Sequence, residues 1–129
     1  MPLHIVRLGS PRSPDEGLRI GTVRRPPRGV PKQRFAEDDW YDVWLPELAP
    51  SAELVKEALA AETDAEWRDF ARKYRKEMSA PSAARLLELL AALSRRTNLA
   101  VGCYCEDEAR CHRSELRTLL EEAGGSVPP

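Results

Sequence analysis

The stretch "NLAVGCYCEDEARCHRSELRTLL", Asn98 to Leu120, decides the fold. Its first six residues form a short apolar run of the kind that fills a strand buried on both faces. After Cys111 the period changes: Leu116, Leu119, Leu120 and Ala123 recur at helical spacing, and Gly124 stands where a helix C-cap is expected. A buried strand feeding a helix is the repeating unit of α/β sheets, whose ligands settle outside the carboxyl ends of the strands. All three cysteines of the chain and one of its two histidines lie at that junction.

Upstream, the signal is helical from Ser51 onward. Ser51 is placed as an N-cap, with Glu53 in the first turn and Leu54, Val55 and Ala58 on one face. "TDAE" (Thr63 to Glu66) has the form of a capping box, after which Trp67, Phe70, Ala71, Tyr74 and Met78 make an amphipathic stripe that reads as core. A third helix starts near Pro81 and is expected to bury Leu86, Leu89, Leu90 and Leu93, with Arg95 and Arg96 at its end.

Nearer the N-terminus, "LHIVRL" (Leu3 to Leu8) and "LRIGTV" (Leu18 to Val23) read as strands. The link between them is too short for a helical crossover, so the pair is expected to be antiparallel or joined by an irregular loop. The segment from Arg24 to Pro50 is broken by Pro26, Pro27 and Pro31 and reads as one long loop, pinned to the core by Trp40, Trp44 and Leu45. "SVPP" at the end reads as a frayed tail.

These elements predict a single α/β domain over residues 1–129: a Rossmann-like three-layer sandwich with a small, mostly parallel sheet and about four helices. A chain of 129 residues buries roughly two thirds of its unfolded surface around one core. No apolar run approaches the ~20 residues of a membrane span, and no secretory leader is recognised, so a cytoplasmic location is expected. Free thiols suit that reducing compartment.

Twenty basic side chains against 21 acidic ones give a net charge of −1, which by itself points neither to a nucleic-acid protein nor to a disordered acidic tail. The distribution is uneven. Arg7, Arg12, Arg19, Arg24, Arg25, Arg28, Lys32 and Arg34 crowd the first third, opposed only by Asp15 and Glu16 before Glu37. A local anion site is the functional reading of that excess.

The cysteine cluster admits three readings. Strand alternation puts Cys103 beside Leu99 and Val101, where a free cysteine is a small hydrophobe. Cys111, beside His112 and Arg113 at a helix start, has the surroundings that lower a thiol pKa. A zinc site would draw on Cys103, Cys105, Cys111 and His112. Neighbours on a helix start diverge by about 100°, however, so Cys111 and His112 are expected to point apart. No cofactor is therefore expected, with zinc as the alternative.

Three segments carry a resemblance to a known family. They are Arg24 with "PRGV" (Pro27 to Val30) and Lys32; "LAPSAEL" (Leu48 to Leu54) followed by "WRDFARKYRKE" (Trp67 to Glu77); and "CYCEDEARCHR" (Cys103 to Arg113). Together they resemble the domain of unknown function 488 family and its YeaO-like branch. Pro26 departs from that branch, which more often has tryptophan there. The resemblance implies a compact α/β fold and no settled activity.

The functional expectation is a small anionic ligand, phosphate-bearing and of nucleotide or nucleic-acid type, held by Arg24, Arg28, Arg113 and Ser114. Cys111 or Cys105 would be the thiol nucleophile and His112 the proton carrier. The alternative is a metal-binding or structural module. No membrane partner is expected.

Overall fold

The computed structural model describes residues 3–128. Four strands, β1 (Leu3–Arg7), β2 (Leu18–Gly21), β3 (Val43–Trp44) and β4 (Leu99–Cys103), form one sheet in the order β1-β4-β2-β3. Every pairing is parallel. β4 sits between β1 and β2 in matched register, so that Ile5, Val101 and Ile20 lie in one row. The antiparallel option for β1 and β2 is thereby corrected. The two strands never meet, and the irregular loop between them carries the chain across β4. β4 is buried along its whole length, as its apolar run predicts.

Four helices follow local signals. α1 (Ala52–Ala60) is capped by Ser51, whose Oγ accepts from the Leu54 amide at 3.3 Å. α2 (Asp64–Met78) starts at Thr63, whose Oγ1 accepts from the Glu66 amide at 3.1 Å. α3 (Pro81–Ser94) opens on proline. α4 (His112–Glu122) ends ahead of Gly124, which adopts φ +94°, a conformation that costs glycine little. Arg75 of α2 ties α4 down through Glu115 (2.8 Å) and Glu122 (3.0 Å).

Leu3, Ile20, Leu99 and Val101 share one core with Leu54 of α1, Phe70 and Tyr74 of α2, Leu87 and Leu90 of α3, and Leu116 and Leu120 of α4. All four helices therefore cover the same face of the sheet. The other face, where strand alternation places Arg19, Gly21 and Gly102, is covered by the two long loops. A Cβ on Gly21 would stand 2.3 Å from the Tyr41 ring, and one on Gly102 would stand 2.7 Å from Leu8. The third layer of the expected sandwich is thus made of loops. Arg19, fully buried, nails them in place: it forks onto Glu16 at 2.6 and 2.8 Å and donates to the carbonyls of Ser10 (2.9 Å) and Asp39 (2.6 Å).

Three packing expectations are corrected. α3 buries Ala83, Leu87, Leu90, Ala91 and Ser94, while Leu89 and Leu93 face solvent at 53% and 39% exposure. A run rich in leucine leaves the helical phase open, and the neighbours choose it. In the long loop Tyr41 is the buried anchor (3% exposed), whereas Trp44 is 42% exposed and held by a hydrogen bond from Nε1 to the Val23 carbonyl at 2.7 Å. The tail is docked. The Ser126 amide donates to Ser94 Oγ (2.8 Å), its carbonyl accepts from the Leu3 amide (2.6 Å), and Val127 packs on the core. Pro129 lies outside the described residues. Among the described residues no helix is long and apolar enough to cross a membrane.

Candidate functional site

At the carboxyl end of β4, Cys103 points to the helix face, and the chain then turns outward through Tyr104 and Cys105. Asp107 caps a short turn, Glu108–Arg110, by accepting from the Ala109 amide at 3.0 Å. Cys111 follows with φ −134° and ψ 152°, extended rather than helical, and serves as N-cap of α4. That one-residue difference removes the expected divergence. Cys111 precedes the first helical residue, and its Sγ lies 3.7 Å from His112 Nδ1. The ligating atoms of Cys103, Cys111 and His112 all fall within 4.8 Å of one another. Cys105 lies at the edge of this group, its Sγ 3.8 Å from that of Cys103.

His112 is oriented from β2. Its Nε2 lies 3.2 Å from Thr22 Oγ1, and that hydroxyl donates its single proton to the Gly102 carbonyl at 3.0 Å. In the tautomer that carries its proton at Nε2, the imidazole donates to Thr22 and the Nδ1 lone pair faces Cys111. Tyr74 meets the ring edge-on, with centroids 5.5 Å apart. The thiols perturb one another. Contact with Cys105 and Cys111 holds the Cys103 thiol in its protonated form, and hydrogen bonds from Cys103 hold Cys105 and Cys111 below the ordinary thiol range.

The remaining expected ligands divide. Arg113 is buried, donates from Nη2 to the Cys105 carbonyl and leaves Nε without a partner. Ser114 Oγ is spent on the Cys111 carbonyl at 3.0 Å. Arg24 donates to the carbonyls of Pro50 (3.0 Å) and Ala49 (3.1 Å), a structural role. Arg28 alone of the expected arginines lines the large cavity, a cleft of about 830 Å³ built from Arg7, the Gly9–Ser10 turn, Arg25, Arg28, Trp40 and Tyr104. Cys105, Cys111, His112 and Arg113 are not on its wall. The cavity opens on the loop side of the carboxyl edge, and the thiols lie under the helix side. Trp40 and Tyr104, edge-to-face at 5.8 Å, pack against the cluster that holds Cys103 and Cys111.

The chain matches the family DUF488-N3a, described as the active DUF488-N3 subclade, over residues 3–124. It belongs to that family. Neither a curated protein nor a solved structure matches the chain. In this DUF488-N3a protein the first and last of the resembling segments lie at the carboxyl edge, and the middle one runs into α1 and along α2. Arg24 braces the long loop, Arg28 lines the cavity beside Gly29 (φ +71°), and Cys103 to Arg113 carry the thiol cluster. Sequence reasoning places Arg7 and Arg25 in the basic run without singling them out, and does not pick out Thr22. Arg7 and Thr22 stand at the carboxyl ends of two strands, a signal that was available; nothing local separates Arg25 from Arg24.

Proposed function

We propose that this DUF488-N3a protein binds a phosphate-bearing small molecule with an aromatic ring, of nucleotide type, in the arginine cleft. The observation that carries the reading is that Arg25 and Arg28 face one cavity with no hydrogen-bond acceptor or carboxylate among the described residues. Unspent guanidinium forks are matched to phosphate oxygens. Arg7 adds a third cation, whose Nε donates to the Tyr104 carbonyl at 3.2 Å and whose Nη2 lies 3.6 Å from the exposed Glu106. Trp40 and Tyr104 offer ring faces and edges to a base. The position, outside the carboxyl ends of parallel strands, is where such sheets receive ligands.

The test is titration of the protein with a nucleoside monophosphate and, separately, with inorganic phosphate, followed by amide NMR. Saturable shifts at Gly9, Ser10 and the Trp40 indole are expected, stronger for the nucleotide. Arg25→Ala and Arg28→Ala should each weaken binding by about tenfold, corresponding to about 1.4 kcal/mol. Arg34→Ala, whose guanidinium pairs with Asp38 at 3.0 Å away from the cleft, should leave binding unchanged. Flat spectra, or shifts indifferent to Arg25 and Arg28, overturn the reading.

A further inference from the structure

We propose that Cys103, Cys105, Cys111 and His112 form a closed four-ligand site for a zinc-class divalent metal ion. The inference is independent of the anion cleft.

Geometry supports it first. A tetrahedral zinc ion with bonds of about 2.3 Å to sulfur and about 2.0 Å to nitrogen sets its ligand atoms about 3.5 to 3.8 Å apart. Cys103 Sγ and Cys105 Sγ are 3.8 Å apart, and Cys111 Sγ and His112 Nδ1 are 3.7 Å apart. Two edges of the tetrahedron are thus already at length, the ligand atoms of Cys103, Cys111 and His112 lie within 4.8 Å of one another, and Cys105 Sγ, outside that group of three, has to turn in from its place beside Cys103 to complete the shell. The spacing of the ligands along the chain is not the familiar pair separated by two residues, yet the backbone explains it. Residues two apart on an extended chain point the same way, which gathers Cys103 and Cys105. The extended N-cap conformation of Cys111 gathers the other two.

The imidazole is prepared for the role. Thr22 Oγ1 stands 3.2 Å from Nε2, so in the tautomer that donates there Nδ1 is the lone-pair nitrogen on the side of the thiols. A metal-bound histidine is held in the same way, its other ring nitrogen donating to a fixed acceptor.

Charge is the independent observation. Arg113 is 3% exposed, and no carboxylate pairs with it among the described residues. Its Nε is an orphaned buried donor, and its one hydrogen bond runs to the carbonyl of Cys105. A buried guanidinium needs a counter-charge. A divalent ion with three thiolates and a neutral imidazole carries one net negative charge, which that guanidinium balances. With four protein ligands no coordination position stays open, so the ion is structural. It clamps the end of β4, the loop through Cys105 and the first turn of α4 to one point.

The experiment is elemental analysis of untagged full-length protein purified without chelator, followed by replacement of its metal with cobalt. Close to one zinc per chain is expected. The cobalt form should show thiolate-to-metal charge transfer and the intense visible bands of tetrahedral coordination. Cys105→Ser and His112→Gln should each lose most of the metal, and a chelator should lower the thermal midpoint of the wild type but not of these variants. The wild-type measurements stand alone if a variant fails to fold. Folded wild-type protein that holds only trace metal and gives no cobalt bands on titration overturns the proposal. So does metal retained in full by the Cys105→Ser, Cys111→Ser double variant.

Discussion

Thr22 and His112 stand ninety residues apart in the chain and 3.2 Å apart in the fold, with Thr22 Oγ1 hydrogen-bonded to His112 Nε2. One hydroxyl thereby joins β2, the Gly102 carbonyl of β4 and the first residue of α4. It also chooses which imidazole nitrogen faces the thiols.

Thr22→Val keeps the shape and removes that hydroxyl, leaving a buried ring nitrogen without its partner. The expected cost is about 1 to 3 kcal/mol in urea unfolding, together with a changed ¹⁵N shift pattern for the His112 ring. A variant with both unchanged would show that the ring is oriented by something else.

Glu16→Ala strands the fully buried Arg19 guanidinium, which forks onto that carboxylate. Breaking a buried pair from one side costs about 3 to 5 kcal/mol. Replacing both residues, as Glu16→Leu with Arg19→Met, should cost less than Glu16→Ala alone. Equal losses would mean that Arg19 is held mainly by the Ser10 and Asp39 carbonyls.

Tyr41→Ala should cost about 3 to 5 kcal/mol, as large aromatic truncations in a core do. Trp44→Ala, at a half-exposed ring with one hydrogen bond to Val23, should cost about 1 kcal/mol. The reverse order in thermal or denaturant unfolding would show that the loop is pinned at Trp44 after all.

Acid should loosen the loop layer through Asp42. Burial pushes this carboxyl up, but hydrogen bonds from the Arg12 guanidinium and the Arg19 amide outweigh it and hold the group below its usual 3.8. A depressed folded pKa contributes stability that is fully present above the unfolded value and is lost as pH falls through the folded one. The urea midpoint of the wild type should therefore drop more steeply below about pH 4 than that of Asp42→Asn. Parallel profiles would remove Asp42 from the account.

What could be read from the sequence was what neighbours along the chain decide. Ser51 and Thr63 announce their helices because the cap bond closes within three residues. The stripe Trp67, Phe70, Tyr74, Met78 is legible because aromatics alternate with charges, whereas the leucines of α3 carry no such contrast, and the face containing Leu89 and Leu93 was misread. The thiol cluster was visible as a group. Its internal geometry was not, because a shift of one residue in the start of α4 turns Cys111 from diverging from His112 to facing it.

The sequence by itself determined the α/β class, the four helices and the junction where the cysteines gather, since periodicity and caps act over one or two turns. Only the tertiary structure decided that β4 lies between β1 and β2, that loops cover the second face and that Arg24 is spent while Arg25 and Arg28 have no side-chain partner among the described residues. Strand order is a choice among long-range pairings with similar local patterns, and a guanidinium is bound or free according to which carbonyls the distant chain brings to it.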